Sequence, residues 1–324
     1  MTFAGSPDRV EAQLVPEAGF EFHPFDVQAL PRRPGLELLR ALVTDAGALR
    51  AAGRILDEEK PDAVLGGGGF VAGPVVAAAA RRRIPAAVME ADAHLGLGNR
   101  LAAPLAQRVF LSYPLEGRNG AKYRVTGRPI PRRSRASSRQ EARTLFGLPL
   151  EGPVLLVMGA RAGARALNEA AVESFAAAGP AVLHLSGDRD YGSLAPRMAR
   201  EGYRLLPFTD EIGAAYSAAD LALSRSGGSV WELAAAGTPA VLVPYPLATG
   251  DHQAKNARFF EAAGGAVVVP ETELGRAPEL IRSLIDDPDR LGRMREAMLA
   301  TARPDAAADI AEELLALAAA QASS

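Results

Sequence analysis

A glycine-rich segment in the second half of the chain has the composition of a phosphate-binding loop. Residues 225–229 read RSGGS, and a predicted helix that carries Glu232 follows them directly. Glycine lets backbone N–H groups approach phosphate oxygens, and the start of a helix adds free amides and the positive end of a dipole. A carboxylate in the first turn can accept hydrogen bonds from both hydroxyls of a ribose. The segment predicts a site for a nucleotide diphosphate, although a plain serine-capped helix start has a similar sequence.

A second polar loop follows the next predicted strand and ends in His252, Gln253 and Asn256. The side-chain amides of Gln253 and Asn256 offer donors and acceptors that suit sugar hydroxyls. His252 fits a structural role as well as a ligand role. Together the two loops predict a pocket for a nucleotide diphosphate that carries a sugar.

The first half of the chain contains a run of four glycines, GGGGF at 66–70. Such a run costs chain entropy unless the backbone must come close to another group. A tight strand-to-helix turn and a second ligand site both explain it.

The composition narrows the class of protein. A chain of 324 residues is long enough for two domains, and 48% hydrophobic with 23% charged residues is an ordinary globular balance. A net charge of −2 gives no basic field, which argues against nucleic acid as a partner. The absence of cysteine excludes disulfides and thiolate metal sites. No apolar run reaches membrane-spanning length, and the sequence DRD at 188–190 is predicted to be a solvated loop rather than a metal site.

The elements that must position the loops alternate between strand and helix. Strands are predicted at 2–5, 20–25, 63–66, 86–90, 108–111, 154–158, 182–185, 219–223 and 240–243, and helices at 7–18, 36–59, 73–83, 97–106, before 178 and from 304. Proline, arginine and serine crowd together at 127–138, which predicts an interdomain linker.

We therefore expect an α/β protein with two Rossmann-like parallel-sheet domains that face a cleft. The expected boundaries are 1–133 for the first domain and 134–303 for the second, with a tail helix at 304–324 that packs back on the first. Ligands bind such sheets beyond the carboxyl ends of the strands. The glycine-rich turns after Leu65, Met158 and Leu223 all fall at such ends.

Several short motifs occur in an order that is typical of one family. They are DRVEAQLVPEAG at 8–19, GGGFVAGP at 67–74, GARAGARALN at 159–168, HLSG at 184–187, the block 225–257 and ATARPDAA at 300–307. On these motifs the chain resembles the MurG family of peptidoglycan glycosyltransferases, which have the two-domain GT-B fold. The resemblance implies transfer of N-acetylglucosamine from UDP-N-acetylglucosamine to the undecaprenyl-pyrophosphoryl muramoyl-pentapeptide lipid I, which gives lipid II. It further implies inversion at the anomeric carbon, no metal or other cofactor, and peripheral attachment to the cytoplasmic face of the cell membrane.

The resemblance also implies roles for individual residues. The implied donor-binding residues are Asp92, Arg165, Ser186, Phe208, Thr209, Gly227, Gly228, Ser229, Glu232, Gln253 and Asn256. The implied acceptor-binding residues are Gly68, Gly69, Gly73 and Asn99. Asp92 and His94 lie in the segment expected beside the transferred sugar, so either is a candidate general base.

The chain departs from the pattern of the family at several positions. The family opens with a strand and a GGTGGH-type loop, whose histidine is a favoured candidate for the base, whereas Met1 aligns with the second strand of the family. We expect that the first domain is truncated because a GTG codon inside a longer gene was read as a start. Asp92 stands where the family usually has asparagine, Arg161 replaces a serine, and the loop at 225–229 is one residue short.

Two other classes of function remain open at this point. A UDP-N-acetylglucosamine epimerase would share the architecture and the donor but would need no acceptor. A sugar-nucleotide-binding protein without turnover would bind the donor and lack the base. Assaying whether product requires an acceptor separates the transferase from the epimerase. Donor binding that persists without any transfer to a lipid I analogue would indicate the binding protein.

Overall fold

The computed structural model describes residues 1–27, 36–159, 163–198 and 200–322, with the backbone alone for 36–46. Arg161 lies outside the described residues. The chain divides into two compact units, one formed by Met1–Thr126 with Ala308–Ser324 and the other by Gly127–Ala307. Parallel strands joined by helices build both units, which confirms the predicted α/β class.

The first unit begins with alternating strands and helices. Its elements up to residue 126 are β1 Thr2–Gly5, α1 Glu11–Glu17, β2 Glu21–Pro24, α2 Leu36–Glu59, β3 Val64–Gly66, α3 Ala72–Arg81, β4 Ala86–Glu90, α4 Leu97–Ala102, β5 Arg108–Leu111 and β6 Tyr123–Val125. The bounds of α2, β4 and β5 agree with the prediction. Helix α1 begins four residues later than expected, because the Arg9 N–H donates to the Ser6 carbonyl in a turn that precedes it (3.4 Å).

The strands of the first unit form two sheets, not the single sheet that the alternation predicts. Strands β1 and β2 pair in parallel with each other, whereas β3, β4, β5 and β6 pair in parallel in that order. Apolar side chains, including Phe25, Ala48 and Val75, pack between these elements. In the described residues this packing takes the place of a hydrogen-bonded ladder between β1–β2 and β3.

The second unit repeats the alternation at greater length. Its elements are α5 Arg139–Leu145, β7 Val154–Met158, α6 Arg165–Phe175, β8 Ala181–Leu185, α7 Asp188–Leu194, β9 Tyr203–Leu206, α8 Ile212–Ala218, β10 Leu221–Ser224, α9 Ser229–Ala236, β11 Ala240–Leu242, α10 His252–Ala262, β12 Ala266–Val268, α11 Ala277–Ile285 and α12 Pro288–Thr301. The last helix of the chain, α13 Ala306–Ala322, completes the series.

The sheet of the second unit has a topological switch point between β7 and β10. Its six strands are all parallel and lie in the order β12-β11-β10-β7-β8-β9. Met158 and Ser224, the last residues of the two central strands, are direct partners in the ladder. Because the chain leaves these strands in opposite directions, a crevice opens beyond their carboxyl ends, where ligands bind in sheets of this kind.

Three short strands escape the sequence prediction. Strands β6 and β12 have three residues each and β9 has four. All three lie at an edge of their sheet. An edge strand of this length has one neighbour and a weak alternation of apolar residues, so its sequence signal resembles that of a loop.

Helix α13 packs on the first unit. Ile310 is buried with Ala87 and Phe110, and the Arg108 Nε donates to the Glu313 carboxylate over 3.0 Å. In the part of the chain that the structure describes, no helix combines the length and the apolar character needed to cross a bilayer.

A buried hydrogen-bond network joins β8 to the neighbouring helices of the second unit. The His184 ring contacts the Tyr203 hydroxyl through Nδ1 (2.8 Å) and the Asn168 Oδ1 through Nε2 (3.0 Å). The Asn168 amide nitrogen donates to the Ser186 carbonyl (2.8 Å) and to Asp190 Oδ2 (2.9 Å). Burial lowers the pKa of His184 from 6.5 to about 4, so the ring is neutral near pH 7.

The same network corrects the prediction of a solvated loop at 188–190. Asp188 begins helix α7, and only 8% of Asp190 is exposed. Arg189 and Asn168 both donate to the Asp190 carboxylate, and the Arg189 hydrogen bond is the main reason why the pKa of Asp190 is lowered. The sequence resembles a metal-binding motif, but Asp190 serves the packing of α6 against α7.

Acidification should destabilise the second unit through His184. The pKa of His184 is about 4 in the folded protein and 6.5 in an ordinary histidine. Between these pH values the imidazole binds a proton in the unfolded chain but not in the folded one. This stabilisation is present above pH 6.5 and is lost as the pH falls towards 4. Between pH 7 and pH 5 the loss is about 2 kcal/mol. Urea titrations at several pH values give the free energy of unfolding at each pH. As the pH falls from 7 to 5, this free energy should decrease more steeply for the wild type than for His184→Gln. Equal dependence on pH in the two proteins would contradict the role of the ring.

Candidate functional site

The loop at 225–229 lies at the switch point and has unused backbone donors. It leaves β10 after Ser224, and α9 begins at Ser229. The backbone N–H groups of Gly227, Gly228 and Ser229 donate no hydrogen bond to any residue that the structure describes. Three free amides at the start of a helix are a suitable environment for an oxyanion.

A cation that the sequence interpretation missed lies against this loop. A Cβ atom added to Gly228 would lie 2.4 Å from Cζ of Arg128, so the guanidinium packs directly on the glycine backbone. Arg128 stands in the segment 127–138 that reads as a linker, and nothing in the local pattern separates it from the other arginines there. A guanidinium beside three amides adds positive charge where a diphosphate would lie.

The carboxylate of Glu232 is held by two hydroxyl groups. Ser134 Oγ donates to Oε2 over 2.6 Å, and the Tyr216 hydroxyl donates to the same oxygen over 3.0 Å. Burial raises the pKa of Tyr216 well above its ordinary value, and the neighbouring Glu232 carboxylate raises it further. Oε1 accepts no hydrogen bond from the described residues, which leaves it for a ligand hydroxyl.

The second loop supports the first rather than presenting both of its amides. Asn256 is fully buried, and its Nδ2 donates to the carbonyl of Ser226 (3.1 Å). Ser226 Oγ donates in turn to the Gln253 carbonyl (2.8 Å), and the Gln253 Oε1 accepts from the Tyr245 N–H (2.9 Å). Gln253 is half-buried. The sugar-binding role predicted for Gln253 and Asn256 stays a prediction, while the structure assigns Asn256 the additional task of fixing the glycine loop.

Four of the implied donor-binding residues, which the resemblance places beside the uridine, follow the carboxyl ends of β7, β8 and β9. Arg165 is exposed at the start of α6, and 42% of Phe208 is exposed. Ser186 is fully buried, and its hydroxyl lies 3.3 Å from the carbonyls of Gly187 and Leu206. Thr209 Oγ1 accepts from the Glu211 N–H (3.1 Å). Arg165 and Phe208 are thus accessible to a nucleobase, whereas the side chains of Ser186 and Thr209 already make hydrogen bonds within the protein.

In the first unit, the glycine run meets the segment 90–99 beyond β3 and β4. The backbone of Gly68 has φ +100° and that of Gly69 has φ +69°, conformations that favour glycine. A Cβ atom at Gly98 would lie 2.2 Å from the Gly69 carbonyl oxygen, so the two loops touch backbone to backbone. Gly73 lies in α3 with open space beside it.

A buried carboxylate organises the segment 90–99. Glu90 Oε2 accepts from the Gly96 N–H and from Asn99 Nδ2, each over 2.9 Å, and Oε1 accepts from the Asp92 N–H over 3.2 Å. Asn99 also donates to the Met89 carbonyl, while its own Oδ1 is buried without a hydrogen-bond partner in the described residues. Asp92 and His94 are half-buried in this segment. Their catalytic roles, and the acceptor role of Asn99, stay predictions.

One group of side chains has the spacing of metal ligands in the described part of the chain. Glu21, His23 and Glu59 place their ligand atoms within 4.8 Å of one another. The group lies on β2 and at the end of α2, whereas the loops described above follow β3, β4 and β10. It therefore contributes nothing to the candidate site.

Comparison with known proteins gives a consistent family. The glycosyltransferase family 28 N-terminal domain matches residues 2–111, and the family 28 C-terminal domain matches residues 154–313. A Salinibacter ruber protein named UDP-N-acetylglucosamine--N-acetylmuramyl-(pentapeptide) pyrophosphoryl-undecaprenol N-acetylglucosamine transferase is 40% identical and covers 98% of this chain and 88% of its own. A Halothermothrix orenii protein with the same name is 36% identical over 93% of this chain and 87% of its own.

Solved structures support the same assignment. MurG of Acinetobacter baumannii matches with a TM-score of 0.77 and 26% identity, over 97% of this chain and 90% of that one. A putative UDP-N-acetylglucosamine 2-epimerase from Listeria monocytogenes matches with a TM-score of 0.65 and 15% identity, over 95% of this chain and 86% of that one, which shows a shared fold only. On these domain matches and the identity along nearly its whole length, the chain belongs to the MurG family of glycosyltransferases.

Proposed function

We propose that this protein transfers N-acetylglucosamine from UDP-N-acetylglucosamine to lipid I and so forms lipid II in peptidoglycan synthesis. Family membership along nearly the whole chain supports the reaction. The observation that carries the donor site is the set of three unused amides at 227–229 beside Glu232, which has one carboxylate oxygen unoccupied. The two features suit a diphosphate and a ribose, respectively.

In the transfer, an acceptor hydroxyl attacks the anomeric carbon while the bond from that carbon to the diphosphate breaks. The bonding electrons leave with UDP, the hydroxyl proton passes to a base, and the configuration at the anomeric carbon inverts. Negative charge therefore grows on the diphosphate in the transition state. We assign its stabilisation to the amides of Gly227, Gly228 and Ser229 and to the guanidinium of Arg128, so that the chain itself supplies the positive charge and needs no metal ion.

We assign acceptor binding and proton transfer to the loops of the first unit. Gly69 and Gly73 have open space beside a backbone that suits the acceptor pyrophosphate, Gly68 lies next to them against the Met89 carbonyl, and the buried Asn99 Oδ1 lacks a partner among the described residues. Asp92 and His94 are the candidates for the base. In a transferase assay, the variant of this pair that loses turnover while keeping its donor affinity identifies the base.

We place the protein at the cytoplasmic face of the cell membrane as a peripheral enzyme. The support is chemical, because the proposed acceptor carries an undecaprenyl chain that resides in a bilayer. The protein can work there without a spanning segment if it binds the polar head of the acceptor at the membrane surface.

The function is tested by asking whether turnover requires the acceptor. With UDP-N-acetylglucosamine and a short-chain lipid I analogue, UDP release should depend on the analogue and match the disaccharide product one to one. The epimerases that share the fold suggest the competing outcome, which is a changed sugar with no acceptor present. Epimerised sugar without acceptor, or donor binding without any transfer, would overturn the proposal.

The Ser134 and Tyr216 hydroxyls should act on the nucleotide through Glu232. Removing a hydrogen bond to a charged group costs about 1.5–3 kcal/mol when the group is left unsatisfied. Ser134→Ala should therefore weaken UDP binding roughly tenfold, and Glu232→Ala should weaken it as well. The measurement is isothermal titration of each variant with UDP and with 2′,3′-dideoxy-UDP. The dideoxy nucleotide has no hydroxyls for Glu232, so its affinity should be unchanged.

Two results would contradict this coupling. One is a loss of dideoxy-UDP affinity as large as the loss of UDP affinity in Ser134→Ala, because that pattern indicates general damage to the unit. The other is unchanged UDP affinity in Glu232→Ala. Ser137→Ala is the matched control, since Ser137 lies in the same segment and its side chain is exposed.

Arg128 should bind the diphosphate rather than the nucleoside. Replacing it with leucine removes a charge-assisted contact of about 1–3 kcal/mol. We therefore expect the affinity of Arg128→Leu for UDP to fall about tenfold or more while that for uridine stays unchanged. Arg135→Leu, which alters an exposed arginine of the same segment, serves as the control. Equal losses for UDP and uridine would remove Arg128 from the phosphate site.

A further inference from the structure

A second cationic pocket lies in the second unit, at the amino-terminal ends of the central strands and so at the opposite end of those strands from the glycine loop. The Arg139–Arg295 pocket has a volume of about 220 Å³ and is lined by Arg139, Asp220, Pro288, Leu291, Gly292 and Arg295. Asp220 immediately precedes β10, and its carboxylate accepts from the N–H of Val154, the first residue of β7 (2.8 Å). The pocket therefore lies at the amino-terminal edge of the sheet, away from the glycine loop that follows Ser224.

The single carboxylate of this pocket is already occupied. Asp220 Oδ1 accepts from Arg139, and Oδ2 accepts from Arg143 (2.8 Å) as well as from Val154. Arg143 is buried, with 1% exposure, and it also donates to the carbonyls of Ala218, Pro149 and Leu150. Both oxygens of Asp220 thus already accept from an arginine, and neither accepts from Arg295.

Arg295 is the cation of this pocket that has no hydrogen-bonded carboxylate among the described residues, although the charge of Asp220 acts on it from a distance. Its side chain is half-buried in the wall of the pocket, and it donates no hydrogen bond to any residue that the structure describes. Burial lowers the pKa of Arg295, and the neighbouring charge of Arg139 lowers it further. Asp287, at the start of the same helix, is engaged in accepting from the Arg290 N–H (2.9 Å).

The charge balance of the cluster indicates the class of ligand. Arg139, Arg143 and Arg295 contribute three positive charges and Asp220 one negative charge, which leaves an excess of two. A carboxylate or a phosphodiester would cancel one of these charges, whereas a phosphate dianion cancels both. Two guanidinium groups on different helices, α5 and α12, also offer the forked donors that match phosphate oxygens.

We propose that the Arg139–Arg295 pocket binds a phosphate dianion, either free or as a phosphate monoester, at a site separate from the nucleotide loop. The pocket lies within one unit, and hydrogen bonds hold Asp220, Arg139 and Arg143 in place beside Arg295. The proposal is independent of the transferase reaction, because it concerns the other edge of the sheet.

The test is a titration of the full-length protein with inorganic phosphate at constant ionic strength. Isothermal titration should give saturable binding, and the melting temperature should rise with phosphate as expected for a ligand of the folded state. Sulfate should compete, whereas dimethyl phosphate, a singly charged diester, should bind at least tenfold more weakly. The dissociation constant should be the same with and without saturating UDP-N-acetylglucosamine, which blocks the nucleotide loop and whose phosphates carry only one charge each.

Variants on helix α12 assign the binding to the pocket. Arg295→Leu should weaken phosphate binding at least tenfold, while Arg293→Leu, an exposed arginine on the same helix, should bind as the wild type does. Without phosphate, Arg295→Leu should melt no lower than the wild type, because it removes an unpaired cation beside Arg139. That measurement separates loss of the site from loss of the fold.

Three outcomes would overturn the proposal. They are the absence of saturable phosphate binding to the wild type, equal binding by Arg295→Leu, and competition by UDP-N-acetylglucosamine. The last of these would assign the phosphate to the nucleotide loop, and would leave the proposed donor site intact while removing the second site.

Discussion

The direct pairing of β7 with β10 is the constraint on which the second unit depends. Strands later in sequence extend the sheet on one side and earlier ones on the other, so the connections diverge at this pair. Beyond the paired ends at Met158 and Ser224, the two connections run to opposite sides of the sheet. Unpaired amides inside a packed domain are costly, but at a crevice they remain available to an oxygen ligand. The free N–H groups at 227–229 follow from this topology.

The residues around this crevice divide into those that have unused polar atoms and those that hold them in place. Glu232 has a free oxygen because Ser134 and Tyr216 occupy the other one, which fixes the direction of the carboxylate. Asn256 ties the carbonyl of Ser226 to α10 and so shapes the glycine loop from behind. Positions of the second kind are as necessary to a preorganised site as the contacts themselves.

The sequence is sufficient for the family, the α/β fold and the reaction, because these rest on motifs and on long strands such as β4 and β7. It also locates the glycine loops, whose composition is unusual wherever they occur. It does not reveal Arg128 or Ser134, since their importance comes from contacts with residues about 100 positions away in the chain. The split of the first sheet and the edge strands β6, β9 and β12 are missed for a related reason. Pairing partners are decided by tertiary packing, and short segments carry little local signal for it.

The contact between Gly98 and Gly69 has a mechanical consequence for the first unit. With backbone against backbone, neither loop can change its shape without pushing the other, and Glu90 ties the rest of the segment 90–99 to the end of β4. The glycine run and this segment therefore behave as one stiff body. A change of shape in one of them must therefore carry the other with it, which makes any motion here a collective event rather than the opening of a single flexible flap.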